Sequence, residues 1–205
     1  WLDLEYDVKD FLYFRIDRKK KIFVSTLLQA LGYSKTEIVN EFYGKENYNY
    51  NEKTKKWKTK FNPENYKAKN FSEEVIDAKS EKIVIKLGEK INFLNAKKLS
   101  DGGLKDIFVT QESLYGKYLH KDIKINDEEE GTFKIGTELN ETIIQNILDA
   151  NITSIEISTT NSINKGPYLL NTILSDKNES KNDAITEIYK VLRPGEPPTI
   201  EIATQ

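Results

Sequence analysis

Apolar positions along the chain follow two patterns, one typical of strands and the other of short helices. The stretch "DFLYFRID", at 10–17, is dense in apolar and aromatic residues and predicts a strand, with "RKKK" at 18–21 as a turn or strand end. Further on, "KIVIKLGEKI", "KDIFVT" and "GKYLHKDIKI" have the same character. The region from about 64 to 164 is therefore predicted to be rich in strands.

Helices are predicted near the start, where capping residues precede apolar residues at helical spacing. "STLLQALG" predicts a short helix with Ser25 as its N-cap and Gly32 as its stop. "SKTE" at 34–37 is a capping box, and it opens a second helix with Ile38 and Phe42 on one face. Two more helices are expected in the strand-rich region, over about 96–101 and 140–150, the second followed by the strand "SIEIST".

The stretch "VLRPGEPPTIE", at 191–201, holds three of the five prolines in the chain. A helix with apolar spacing over 183–192 leads into it. Pro194 should end that helix, because proline lacks a backbone donor and disfavours α geometry in the residue before it. This proline-rich corner, at 193–198, either holds Arg193 at a defined place or is a rigid turn with a solvated arginine. Local physics leaves both interpretations open.

These elements predict an α+β fold, in which a mixed domain of strands and short helices is interrupted by a β-rich module. A chain of 205 residues can form one domain or two. If the last segment packs on the first, residues 1–65 and 163–205 form a discontinuous domain. Residues 66–162 are then an inserted module of ordinary domain size.

Composition narrows the class of protein. The formal net charge is −2 and 31% of the residues are charged, which is typical of a soluble globular protein. No run approaches the roughly 20 apolar residues that span a bilayer, so no membrane partner is expected. The chain has no cysteine, which fits a cytoplasmic protein. Its one histidine, His120, excludes multi-histidine metal sites and is most simply a packed or surface residue.

Basic residues concentrate near the start, where residues 1–69 carry 15 basic and 10 acidic side chains. Within them, 45–69 interleaves aromatic residues with eight lysines. Such a stretch can bind single-stranded nucleic acid by stacking and phosphate attraction. It can also be an edge hairpin whose lysines discourage pairing with other chains, and the regular "WKTKF" favours this hairpin. The acidic run 127–130 is interpreted as a solvated hairpin tip.

The sequence shows no motif for catalysis or for a bound cofactor. It has no glycine-rich phosphate loop, no carboxylate cluster for Mg²⁺ and no nucleophile–base pair. Asp3, Glu5 and Asp7 alternate on one predicted strand face, which is more simply a solvated face than a cation site. We therefore expect no catalytic residue and no metal ligand in this chain.

Four segments resemble, in order, the lobe of the β subunit of bacterial DNA-directed RNA polymerase: "WLDLEYDVKDFLYFRIDRKKKI", "LLQALGYSKTEI", "GPYLLNTI" and "AITEIYKVLRPGEPPT". The middle, about 66–162, is similar to the external module that many bacterial β subunits carry inside the lobe. The resemblance implies a piece of a much longer subunit. The absence of methionine and the abrupt ends of the chain agree with that expectation.

In that family the lobe forms part of one jaw of the DNA cleft. The resemblance implies that Trp1 stacks on an unpaired non-template base and that Asp17 lines a pocket for the next guanine. Arg18 and Arg193 would contact phosphates or bases of the same strand, so Arg193 is expected beside Asp17 and Arg18. The family often has two arginines after this aspartate, whereas this chain has Arg18-Lys19.

The resemblance implies DNA as a partner, as the non-template strand and the downstream duplex, together with the β′, α and σ subunits. The Mg²⁺ of the nucleotidyltransferase would lie on another subunit. Two other hypotheses stay open. One is a protein–protein docking module for transcription regulators, without nucleic-acid contact, and the other is a stand-alone RNA-binding protein that uses 45–69.

Overall fold

The structure is a computed structural model, and it describes residues 2–7, 10–16, 20–66, 69–70, 73–160 and 166–195. Trp1, Asp17 and Arg18 lie outside the described residues. The strands are β1 (Leu2–Tyr6), β2 (Leu12–Ile16), β3 (Lys20–Phe23), β4 (Lys45–Asn51), β5 (Lys56–Lys60), β6 (Lys69–Asn70), β7 (Val75–Asp77), β8 (Ile83–Ile85), β9 (Lys90–Ile91), β10 (Asp106–Val109), β11 (Tyr118–Leu119), β12 (Ile123–Lys124), β13 (Thr132–Phe133) and β14 (Ser154–Ser158). The helices are α1 (Val24–Ala30), α2 (Lys35–Phe42), α3 (Phe93–Asp101), α4 (Glu141–Asp149), α5 (Tyr168–Ser175) and α6 (Lys181–Leu192). This mixture of helices and antiparallel strands confirms the α+β class.

The chain folds into two compact units that interleave along the sequence. The first unit comprises residues 1–45, 118–138 and 158–205, and the second comprises 46–117 and 139–157. These boundaries differ from the predicted segments, because 46–65 groups with the second unit and 118–138 with the first. The division into two compact units does not test whether 66–162 is inserted in a family's domain. The assignment of 66–162 as an inserted module therefore stays a prediction.

The first unit packs a small sheet and several helices around one core. Its sheet has the antiparallel order β1-β2-β3, and Phe14 and Ile22 lie opposite each other on the buried face. The core joins α2 to α5, so the last segment packs on the first. Its buried members are Ile38, Val39, Tyr43, Ile135, Leu169, Leu170 and Ile173.

The capping box predicted for α2 is confirmed, since the Ser34 hydroxyl accepts from the Glu37 amide and the Glu37 carboxylate accepts from the Ser34 amide. Ile38 and Phe42, which were expected on one face of α2, differ in burial, because Ile38 is 2% exposed and Phe42 is 52% exposed. Val39 and Tyr43, which are also four residues apart, are buried beside Ile38 instead. The helix is therefore rotated so that Val39 faces α5.

The predicted N-cap of α1 is also wrong. Helix α1 begins at Val24, and Ser25 lies inside its first turn without capping it. The Ser25 hydroxyl instead donates to the buried carboxylate of Asp176, at 2.5 Å. Gly32 does follow the end of the helix with φ +106°, a conformation that favours glycine.

Asp176, at the C-terminal end of α5, is 2% exposed, and its carboxylate accepts five hydrogen bonds. One carboxylate oxygen accepts from Ser25, Thr26 and Gln29 of α1, at 2.5, 2.9 and 3.2 Å. The other accepts from the backbone and side-chain nitrogens of Asn178, both at 2.9 Å. A buried carboxylate is stable only when its oxygens are satisfied in this way, so the network ties α1 to the α5–α6 corner.

The second unit is built on an antiparallel sheet with the order β14-β4-β5-β10-β7-β8. The strand prediction for "WKTKF" is confirmed by β5, which pairs with β4. The predicted edge position of this hairpin is wrong, because β5 also pairs with β10 and β4 lies beside β14. Trp57 and Thr59 point from β5 into the core, and Trp57 is completely buried.

Several local predictions in the remaining elements are confirmed. Helix α4 occupies the expected stretch, and α3 ends where expected but begins at Phe93, three residues before the predicted start; Asn92 and Asn140 are their side-chain N-caps. The acidic run 127–130 is exposed and lies between β12 and β13, which pair as an antiparallel hairpin. Helix α6 ends at Leu192, two residues before Pro194.

We expect Asp176→Ala to lower the free energy of unfolding by about 3 kcal/mol or more, because it leaves the buried donors of α1 without an acceptor. Urea denaturation followed by circular dichroism measures this loss. Asp127→Ala, in the exposed acidic run, removes the same charge and is expected to change stability by less than about 0.5 kcal/mol. Equal effects of the two variants would contradict the role given to Asp176.

Candidate nucleic-acid interface

One end of the β1-β2-β3 sheet adjoins two of the predicted site residues in the sequence. Leu2 and Ile16 are cross-strand partners, and Ile16 is also the partner of Lys20. Trp1 precedes the first of these residues and Asp17 follows the second. The described backbone therefore brings the neighbours of Trp1 and Asp17 to the same end of the sheet.

The solvent-facing side of this sheet carries a charge network. Glu5 of β1 accepts from the Arg15 guanidinium of β2 at 3.1 Å and lies 3.5 Å from the Lys21 ammonium of β3. The buried Nε of Arg15 has no acceptor among the described residues. The hydrogen bond from Arg15, with the charges of Arg15 and Lys21, holds the pKa of Glu5 below its usual value, against a smaller effect of burial.

Aromatic rings lie beside these charges. Tyr13 and Phe23 are stacked with their centroids 5.0 Å apart, and the Lys21 ammonium is 5.6 Å from the Tyr13 centroid. Burial raises the pKa of the Tyr13 phenol, and Asp7 raises it further. This surface therefore combines flat rings with cationic groups, which are the two components of single-strand recognition.

The other side of β1 is apolar and exposed, a feature that was not predicted from the sequence. Leu2, Leu4 and Tyr6 are 63%, 71% and 65% exposed. Phe14, the cross-strand partner of Leu4, is buried, so the apolar face of the sheet extends beyond the core. The alternation of apolar and polar residues in "LDLEY" is the sequence signal from which this apolar side of β1 could have been predicted.

Arg193 is the C-terminal cap residue of α6 and its side chain is exposed. Its amide donates to the Tyr189 carbonyl at 2.8 Å, and its guanidinium carbon lies 5.9 Å from the Tyr189 ring centroid. The helix end and the turn at Gly195, with φ +89°, give Arg193 a defined position. Its grouping with Asp17 and Arg18 stays a prediction, because both of those residues lie outside the described part of the chain.

His120 is a packed histidine. It is 3% exposed, and its two ring nitrogens lie 2.7 Å from the Ser158 hydroxyl and 2.7 Å from the Asn40 side-chain oxygen. Within the described ranges, no three histidine, cysteine, aspartate or glutamate residues are grouped so that they could hold a metal ion. No helix in the same ranges is long and apolar enough to cross a membrane.

Four of the five aromatic residues of 45–69 face the core rather than solvent, and the fifth, Tyr50, is half-buried against Trp57. Tyr48, Trp57, Phe61 and Tyr66 are all at most 6% exposed. Burial raises the pKa of the Tyr48 and Tyr66 phenols. Buried rings cannot stack on bases, which argues against the hypothesis of a stand-alone RNA-binding protein that uses this stretch.

Comparison with known families decides the membership of the chain. The family model described as RNA polymerase Rpb2, domain 2 matches residues 1–112, which is more than half of the chain. The chain belongs to this family. The match covers the whole β1-β2-β3 sheet and continues through β10, so the Rpb2 domain 2 assignment includes the charge network around Glu5.

Curated relatives extend the similarity of this Rpb2 domain 2 chain to nearly all of its residues. It is 41% identical over 203 residues to the DNA-directed RNA polymerase subunit beta of Rickettsia conorii (strain ATCC VR-613 / Malish 7). The identity is 40% to the corresponding protein of Rickettsia rickettsii (strain Sheila Smith) and 39% to that of Rickettsia prowazekii (strain Madrid E). Each match covers 99% of this chain and 15% of the length of the relative.

We expect Arg15→Gln to raise the pKa of Glu5 towards its usual value, because Arg15 supplies the largest lowering effect. Lys21→Gln should raise it less. A carboxyl-carbon NMR titration measures both values directly. Because the folded-state pKa is lowered, the favourable contribution of Glu5 exists above the unfolded-state pKa and disappears as pH falls through the folded-state pKa. A larger shift for Lys21→Gln would contradict this assignment.

Proposed function

We propose that this chain is a lobe of the DNA cleft in a bacterial RNA polymerase and contacts the melted non-template strand and the downstream duplex. The observation that carries the proposal is the pairing of Leu2 with Ile16, within the segment matched by the family model. Trp1 and Asp17 are the sequence neighbours of these two residues, and in this proposal a single strand of DNA contacts both.

In this proposal Trp1 stacks on an unpaired non-template base. An indole ring is flat and apolar, and every base offers a π face, so the contact tolerates any sequence. Asp17 accepts hydrogen bonds from the Watson–Crick edge of the following guanine. That edge is hidden in a duplex, so the contact selects a melted strand. Arg18 and Arg193 supply cationic contacts to the same strand, where a guanidinium can bind a phosphate with two hydrogen bonds.

The chain is proposed to be non-catalytic by itself. Nucleotidyl transfer, and the Mg²⁺ that it needs, would belong to other parts of a cytoplasmic polymerase that also contains β′, α and σ subunits. The chain then acts by holding DNA, and it needs no cofactor of its own.

A second candidate function is a docking surface for transcription regulators. The exposed apolar side chains of Leu2 and Leu4 favour it, because large exposed apolar residues on an edge strand suit protein–protein contact. This alternative assigns no DNA contact to Trp1 or Asp17. It therefore predicts that variants of these two residues leave promoter opening unchanged.

We expect Trp1→Ala, in the assembled polymerase, to destabilise the open promoter complex by about 1–3 kcal/mol, which is the usual value of one base–aromatic stack. The lifetime of the open complex after addition of a competitor measures this effect. Tyr33→Ala is the matched control, because Tyr33 is an exposed aromatic residue in the turn before α2. Equal lifetimes for the wild type and Trp1→Ala would contradict the stacking role.

We expect Asp17→Asn to abolish the preference for guanine at one non-template position, because an amide offers a donor where guanine requires an acceptor. Two well-placed hydrogen bonds to a base edge typically discriminate by about 1–3 kcal/mol. Promoters with guanine, inosine or adenine at each melted position measure this preference. Asp3→Asn, on exposed β1, removes the same charge and should retain the preference. Loss of the preference in both variants would indicate a general charge effect and would exclude a specific pocket.

A further inference from the structure

The β4–β5 hairpin of the second unit separates its aromatic residues from its lysines. On β5 the side chains of Trp57 and Thr59 are buried, whereas those of Lys56, Lys58 and Lys60 lie on the opposite face. Successive residues of a strand point to opposite faces, so the three lysines form one row. Asn51 and Asn49 of β4 lie opposite Lys56 and Lys58 and extend this polar face.

The three ammonium groups have no anionic partner in the described part of the chain: no ion pair or side-chain hydrogen bond involves them. Some lysines elsewhere in the protein do have an anionic partner. Lys35 and Lys134 share the Glu179 carboxylate, at 3.1 and 3.3 Å. The row on β5 is therefore a set of available positive charges.

A pocket of about 360 Å³ continues this face from Lys58 and is also lined by Lys79 and Lys105. Two aspartates of the same pocket, Asp77 and Asp106, offset part of the charge. The Asp77 carboxylate already accepts from the Lys79 amide and the Ser80 hydroxyl, at 2.9 and 2.8 Å. Asp106 lies opposite Lys60 in the register.

Glu156 of β14, between buried Ile155 and Ile157, faces the same way as the lysine row. With Glu156 included, five lysines and three carboxylates lie on or beside this face. The excess positive charge is greatest along β5.

We propose that the lysine row, defined as Lys56, Lys58 and Lys60 with Lys79 and Lys105 at its margin, is a binding site for the phosphate backbone of double-stranded nucleic acid. Alternate residues of a strand are about 6.8 Å apart, which is twice the 3.4 Å axial spacing of phosphates along one DNA strand. Duplex DNA carries one charge per about 1.7 Å of its axis, the dense anionic array that such a row attracts.

A duplex fits this face better than a single strand or an acidic peptide. Single-strand binding relies on exposed rings, and the rings of the hairpin face inward. A peptide interface relies on buried apolar anchors, and β4 and β5 present asparagines and lysines on this face. The site shares no residue with the proposed contacts of Trp1 and Asp17, and it rests on the proposed function because it names residues for the downstream-duplex contact proposed there.

The test compares the 205-residue chain with the Lys56→Gln/Lys58→Gln/Lys60→Gln variant, using fluorescence anisotropy with a labelled 20-base-pair DNA duplex. We expect the variant to bind about tenfold more weakly or worse at low salt. Its slope of log affinity against log salt should fall by about 3, one unit for each lost phosphate contact. Replacement of the same lysines by arginine should retain binding, because the charges remain.

The matched control is Lys86→Gln/Lys90→Gln/Lys97→Gln, which removes three exposed lysines of the same unit and changes the net charge equally. It should bind the duplex as the wild type does, and circular dichroism should show all variants folded. Equal loss in both triple variants, or none in the first, would overturn the proposal. Tighter binding of a 20-nucleotide single strand or of polyglutamate than of the duplex would also overturn it.

The duplex probe separates this proposal from the proposed function. Trp1 and Asp17 are proposed to contact unpaired bases only, so Trp1→Ala and Asp17→Asn should leave duplex binding by the lysine row unchanged. Loss of duplex binding in those variants would instead contradict the independence of the site.

Discussion

The buried carboxylate of Asp176 is the contact on which the first unit depends. It joins Ser25, Thr26 and Gln29 of α1 to the corner that follows α5. Helix α5 in turn supports the sheet, because the Leu12 amide of β2 donates to the buried Thr172 hydroxyl at 2.8 Å. The position of the sheet that leads to Trp1 and Asp17 is thus determined by polar contacts made within the core.

Secondary structure was predictable where the signal is local. The capping box at Ser34, the asparagine cap of α4 and the proline after α6 each act within a few residues, and the corresponding helix ends agree. The wrong N-cap at Ser25 and the unpredicted exposure of Phe42 have a common cause. The environment of each residue depends on α5, which lies more than 120 residues away in the sequence. No local pattern shows which side of a two-turn helix α5 will cover.

The candidate site was predictable in part. The sequence indicated a fixed corner at Arg193 and, through the family resemblance, the residues at the start of β1 and the end of β2. The interpretation of 45–69 treated aromatic residues and lysines as one surface. Successive residues of a strand point to opposite faces, so the aromatic residues and the lysines lie on different sides of the sheet. This separation becomes evident once β5 is known to lie inside a sheet that is covered on one side.

The interleaving of the two units has a consequence for biosynthesis. The second unit is complete once residue 157 has been made, whereas the first also needs α5 and α6. The hydrogen bond between Ser25 and Asp176 closes a loop of 151 residues, and contacts of such sequence separation form late in folding. During translation from the N-terminus, the second unit can therefore assemble while β1, β2 and α1 still await their partners. Until then, the apolar side chains of these elements lack their partners, and transiently exposed apolar surface of this kind favours aggregation.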